Sequence, residues 1–113
     1  MSNLLTKRFE LLRILLMKTE QGKISWESGP VEEMFYTGIA GVSVGLKCFR
    51  NDYYLHIYNS NGDLAEAIVD TELTAAGFEN AYHLMKSLYD LARAHAKGAE
   101  AAVDALLGNL KDL

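Results

Sequence analysis

The chain has one cysteine (Cys48), one proline (Pro30) and one tryptophan (Trp26) in 113 residues. A lone cysteine rules out an internal disulfide and argues against a cysteine-based zinc site. No apolar run approaches the roughly 18 to 20 residues that a membrane span needs. The longest, residues 11–17, is broken by Arg13. Lys7 and Arg8 precede that run much as in a secretion signal, yet no small-residue cleavage site follows Met17, so the expected location is cytoplasmic. A basic excess is also missing. The net charge is -4, which disfavours nucleic acid as a partner because phosphate neutralisation needs a basic footprint. The chain has no glycine loop followed by Lys-Ser or Lys-Thr to cradle a phosphate. Its three histidines show no H-x-x-x-H spacing and no carboxylate cluster has metal geometry, so neither a metal nor another cofactor is expected.

What is present suits a single domain over residues 1–113, half of it hydrophobic and so able to bury one core. Charge is uneven. Lys7, Arg8, Arg13, Lys18 and Lys23 outnumber Glu10 and Glu20 in the first segment and leave the remainder acidic, so the first helix is expected to pack on its own domain or on a second copy.

Leu4, Leu5, Phe9, Leu11, Leu12, Leu15 and Leu16 share one arc of a helical wheel, which predicts a helix over 3–21 closed by Gly22. Arg8 falls inside that arc and must either snorkel or meet a carboxylate. Residues 23–27 alternate as a strand, and Ser28-Gly29-Pro30 forms a turn. Further strands are expected over 33–39, in a hairpin over 42–59, and over 64–70. A helix over 79–97 carries Ala81, Leu84, Met85, Leu88, Leu91 and Ala92 on one arc. Gly98 is expected to interrupt it before a last helix bearing Ala99, Ala102, Val103, Leu106, Leu107, Leu110 and Leu113. The fold class is therefore α+β: an N-terminal helix, an antiparallel meander of four or five strands, and two C-terminal helices. Three apolar helix stripes exceed what one small sheet face can cover, and the surplus points to a homodimer.

The hairpin carries the most informative pattern. A loop centred on Asn51-Asp52 would pair Cys48 with Leu55 and Leu46 with Ile57 on a core face. The other face would pair Phe49 with Tyr54, Lys47 with His56 and Gly45 with Tyr58. Tyr36, Lys47, Phe49, Tyr54, His56 and Tyr58 are accordingly the candidate residues for binding a partner or ligand, since aromatic rings beside an imidazole and an ammonium group can stack on a flat molecule or grip a protein surface. The bland alternative is that these are good residues for a half-exposed strand. Cys48 alternates in phase with Val42, Val44 and Leu46, which puts its thiol toward the core. His95 lies in an apolar arc and His83 on a polar side, and no serine or cysteine nucleophile can be tied to either. Glu32 and Glu33 are adjacent and point opposite ways, so they cannot flank one bond.

The segments Thr19-Glu20-Gln21-Gly22-Lys23-Ile24-Ser25-Trp26 and Leu88-Tyr89-Asp90-Leu91-Ala92-Arg93 resemble those of small uncharacterised bacterial and prophage proteins with a helix, meander, helix layout. The resemblance implies packing and no activity. The expected function is a non-catalytic, self-associating protein interaction module rather than an enzyme, with a small-molecule sensor using the aromatic face as the alternative.

Overall fold

The structure, a computed structural model, describes residues 3–113; Met1 and Ser2, where the leader-like segment of the sequence begins, lie outside the described residues. Helix α1 spans Leu4–Glu20. Asn3 caps it, its side-chain oxygen accepting the Thr6 backbone N–H at 2.8 Å. Gly22 ends it at φ 74°, where the N–H of Lys23 reaches the Lys18 carbonyl at 2.9 Å and that of Gly22 reaches Thr19 at 3.0 Å. These two bonds form a Schellman motif, which requires the left-handed backbone that glycine adopts freely.

Five strands follow: β1 (Glu27–Ser28), β2 (Met34–Ile39), β3 (Val42–Phe49), β4 (Asp52–Tyr58) and β5 (Leu64–Val69). They form one antiparallel sheet in chain order. The β3–β4 loop holds only Arg50 and Asn51, at φ 51° and 67°. Positive φ at both positions is the type I′ signature, whose twist matches that of the flanking strands. The loop therefore lies one residue earlier than a turn centred on Asn51-Asp52. Val44 faces Ile57, Gly45 faces His56, Leu46 faces Leu55 and Lys47 faces Tyr54, each partner two residues from the expected one. A slip of two leaves every side chain on its expected face, because the strand period is two.

Strand β5 runs directly into α2 (Asp70–Ala75), a short helix that the sequence pattern did not reveal. Asp70 makes the junction. Its buried Oδ1 accepts the Tyr53 N–H at 2.7 Å, so the carboxylate takes a donor on β4 just past the last residue that β5 pairs. After Gly77, Phe78 stacks on Phe9 of α1 with ring centroids 4.5 Å apart. Helix α3 then runs from Ala81 to Lys111 without a break at Gly98. Its 31 residues correspond to about 46 Å. The two helices expected on either side of Gly98 are thus one continuous helix, and the second C-terminal helix is the short α2 that precedes it.

The helices bury their apolar stripes against one sheet face. Phe35, Val44, Leu46, Tyr53, Leu55 and Ile68 from the sheet meet Leu12, Leu15 and Leu16 of α1, Leu73 of α2, and Met85, Leu88, Tyr89, Ala92 and Ala96 of α3. Arg8 meets carboxylates, as one of the two expected outcomes: its guanidinium lies 2.9 Å from Glu66 and 3.4 Å from Glu72. Beyond Lys97 every residue of α3 is exposed, and the molecule is correspondingly long, 62 × 30 × 28 Å.

Candidate functional site

The face of the sheet turned away from the helices brings together five of the six residues expected there. One row across the strands reads Tyr36, Gly45, His56, Ala67, and the next reads Met34, Lys47, Tyr54, Val69. Tyr58 follows His56 on the same face of β4, two residues on. The sixth, Phe49, sits at the hairpin end beside the turn, 54% exposed, with the Arg50 guanidinium 5.1 Å from its ring centroid.

His56 occupies the middle of this face. The rings of Tyr54 and Tyr58 meet it edge-on at centroid distances of 6.4 and 6.1 Å, and its Nδ1 lies 3.3 Å from the Tyr58 hydroxyl. Lys47 places its Nζ 5.2 Å from the centre of the Tyr54 ring, a cation–π contact. Burial, followed by the neighbouring Lys47 charge, holds the His56 imidazole below its ordinary pKa. Burial and then Tyr58 push the Tyr36 phenol up.

The patch also has a floor that the sequence pattern did not reveal. A Cβ built on Gly45 would meet Met34 Cε at 2.5 Å and the Tyr36 ring at 3.2 Å, so the glycine makes room for both. The opposite edge of the same ring lies over Gly29, where a Cβ would also collide. Tyr36 is therefore seated between two glycines. Met34, only 4% exposed, lies on the face away from the helices with its Cε over Gly45. A methionine before an aromatic in an alternating strand reads equally well as core, and glycine spacing alone does not say which ring crosses it.

Several single residues stand apart from this patch. Cys48 is exposed, against the expectation that its thiol is buried. It keeps the phase of the core face, but it pairs with Tyr53 at the hairpin end of the sheet, at the rim of the core. Glu33 takes a left-handed φ of 57°, and its carboxylate meets Arg93 at 3.0 Å and Lys97 at 3.5 Å while its carbonyl accepts the Tyr89 hydroxyl at 2.8 Å. These contacts anchor the loop before β2 to α3. His95 is half-buried, and exposed His83 lies edge-on to Tyr82. Among the described residues no group of three His, Cys, Asp or Glu side chains is placed to hold a metal. No described helix is long and apolar enough to cross a membrane.

The second candidate surface is the distal half of α3. Val103, Leu106, Leu107 and Leu110 are 47 to 59% exposed, with Ala99 and Ala102 completing the stripe, and exposed Leu113 follows just past the helix end. Where this half leaves the body, a groove of about 550 Å³ runs between the helix and β1, lined by Ala96, Ala99, Glu100, Val103 and Asp104 of α3 and by Glu27 and Ser28 of β1. An adjoining hollow of about 630 Å³ is lined by Ile24, Trp26, Tyr36, Ile39 and Ala99.

No family model, curated protein or solved structure matches this chain. The chemistry of the two surfaces must therefore carry the functional reading.

Proposed function

We propose that this chain is a non-catalytic protein–protein interaction module that associates with a second copy of itself through the distal half of α3. The observation that carries the reading is the run of large apolar side chains from Val103 to Leu110, exposed on a helix that extends past its own core. Fully burying one such side chain is worth roughly 1.5 to 3 kcal/mol, so covering several together supplies a substantial drive to associate. The spacing supports a helical partner. Residues 85, 89, 92 and 96 face the body at alternating steps of three and four, and 99, 103, 106 and 110 continue that seam into solvent. Light scattering coupled to size-exclusion chromatography across the micromolar range is expected to give a dimer. Leu106→Asp with Leu110→Asp should raise the dissociation constant by about a hundredfold or more and leave the circular dichroism spectrum unchanged, because both side chains are exposed. A wild-type protein that stays monomeric throughout that range would refute the reading.

The geometry around His56 favours a second use of the molecule, binding a flat small molecule on the outer sheet face. Half-exposed rings at 54, 56 and 58, with Lys47 beside them, present π surfaces and one cation over a preformed floor. A thermal-shift screen with nucleotides and aromatic metabolites tests it, since a ligand at 100 times its dissociation constant adds about 2.7 kcal/mol. His56→Ala and Tyr58→Ala should remove the shift in a protein that still folds.

A further inference from the structure

The distal stripe of α3 tapers in a way that fixes how two copies would meet. Along the exposed part of the three-four seam the residue nearest the body is small, Ala99, Val103 is intermediate, and Leu106 and Leu110 are large. Parallel pairing would set like on like and leave a gap at the alanine layer. Antiparallel pairing fills it. With a two-fold axis crossing between Asp104 and Ala105, Ala99 faces Leu110 of the second copy and Val103 faces Leu106. The same two layers then repeat on the other side of the axis. Every layer combines a small residue with a larger one, which is how facing helices reach interior packing density.

The groove beside β1 supplies the independent observation. It is lined by Ala96, Ala99 and Val103 from the small end of the seam, by Glu100 and Asp104 beside them on α3, and by Glu27 and Ser28 from the sheet edge. At about 550 Å³ it has room for a leucine side chain, and in this arrangement Leu110 of the second copy arrives over Ala99, with the carboxylates left at the rim. The large end of one helix thus fills the hollow at the root of the other, twice over by symmetry. Two heptads of helix are short for a free-standing coiled coil, and the β1 walls add contacts that helix-on-helix pairing alone would lack.

From this complementarity we infer that two copies pair through α3 as an antiparallel, two-fold seam in which each groove beside β1 receives Leu110 of the other copy. The inference rests on the self-association proposed above and specifies its register. Cross-linking tests it on the full chain with Cys48→Ser as background. Chains carrying Ala99→Cys and chains carrying Leu110→Cys are oxidised separately and as a mixture, then run on non-reducing gels. The expected result is a disulfide dimer in the mixture and none from either chain alone. Self-cross-linking of the Ala99→Cys chain, or no product from the mixture while light scattering still finds a dimer, would overturn the register and leave self-association standing. A protein monomeric by light scattering would overturn both. A size exchange gives a second reading without disulfides. Ala99→Leu should weaken the dimer at least about tenfold by filling the groove, and adding Leu110→Ala should restore it. Tighter association of Ala99→Leu alone would indicate a parallel seam and overturn the inference.

Discussion

The indole N–H of Trp26 donates to the Thr19 hydroxyl at 3.0 Å, and both residues are buried. The bond spans the Gly22 turn, so it ties the last turn of α1 to the chain entering the sheet. Thr19→Val keeps the shape and removes the acceptor, which leaves an indole N–H buried without a partner. Such a group costs about 1 to 3 kcal/mol, and chemical denaturation should show a loss of that size. Thr19→Ser retains the oxygen and is expected to recover most of it. Equal stabilities of the valine and serine variants would show that the hydrogen bond contributes nothing.

Asp70 plays a comparable part at the other end of the sheet. Its carboxylate is buried and accepts the Tyr53 N–H where the β4–β5 pairing runs out. Asp70→Ala should cost about 1 to 3 kcal/mol, because a buried backbone donor then has no acceptor. Asp70→Asn keeps an oxygen in place but removes the negative charge at the first turn of α2, so the difference between the two variants separates the hydrogen bond from the helix-end electrostatics. Urea midpoints of the two variants measure it.

Gly98 lies in the middle of α3, exposed, with nothing within 4 Å of where a Cβ would stand. Glycine in a helix interior is less favourable than alanine, chiefly because the unfolded chain has more freedom to lose. Gly98→Ala should therefore stabilise the protein by about 0.4 to 1 kcal/mol, seen as a higher Tm and greater helicity. Position 98 lies off the apolar seam, so the self-association proposed above should be no weaker in this variant.

The same glycine shows where the sequence pattern misleads. Glycine costs a helix about 1 kcal/mol, and the alanine, leucine, lysine and glutamate residues around position 98 make that deficit small against a 31-residue helix. Helix α2 escaped notice for another reason: six residues give too few turns for a period to show. In the hairpin, alternation correctly assigned the faces of Leu46, Lys47, Leu55 and His56. The register was hidden because Arg50, which carries no turn signal, takes the first left-handed position and Asn51 the second. The aromatic patch was legible for the same reason as the faces, since parity survives a two-residue slip. Its Met34 floor and the seating of Tyr36 between Gly29 and Gly45 depend on three-dimensional approach, which no one-dimensional period encodes.

The His56 environment predicts a pH dependence of known sign. Burial and Lys47 both disfavour the imidazolium in the folded state, so its folded pKa lies below the unfolded value near 6.5. Above that value both states hold a neutral ring and the group contributes nothing to the pH slope. As pH falls below about 6.5 the unfolded chain takes up a proton before the folded one does, and stability declines until the folded ring also titrates. The carboxylates of Glu33 and Glu66, held low chiefly by Arg93 and Arg8, act in the separate window near and below about pH 4. Unfolding free energies measured between pH 7.5 and 5 should fall in the wild type and fall less in His56→Gln. NMR titration of the His56 ring should place its midpoint below that of a histidine in an unfolded peptide. A midpoint at or above the peptide value would mean that the outer face does not desolvate the ring, and the prediction would fail.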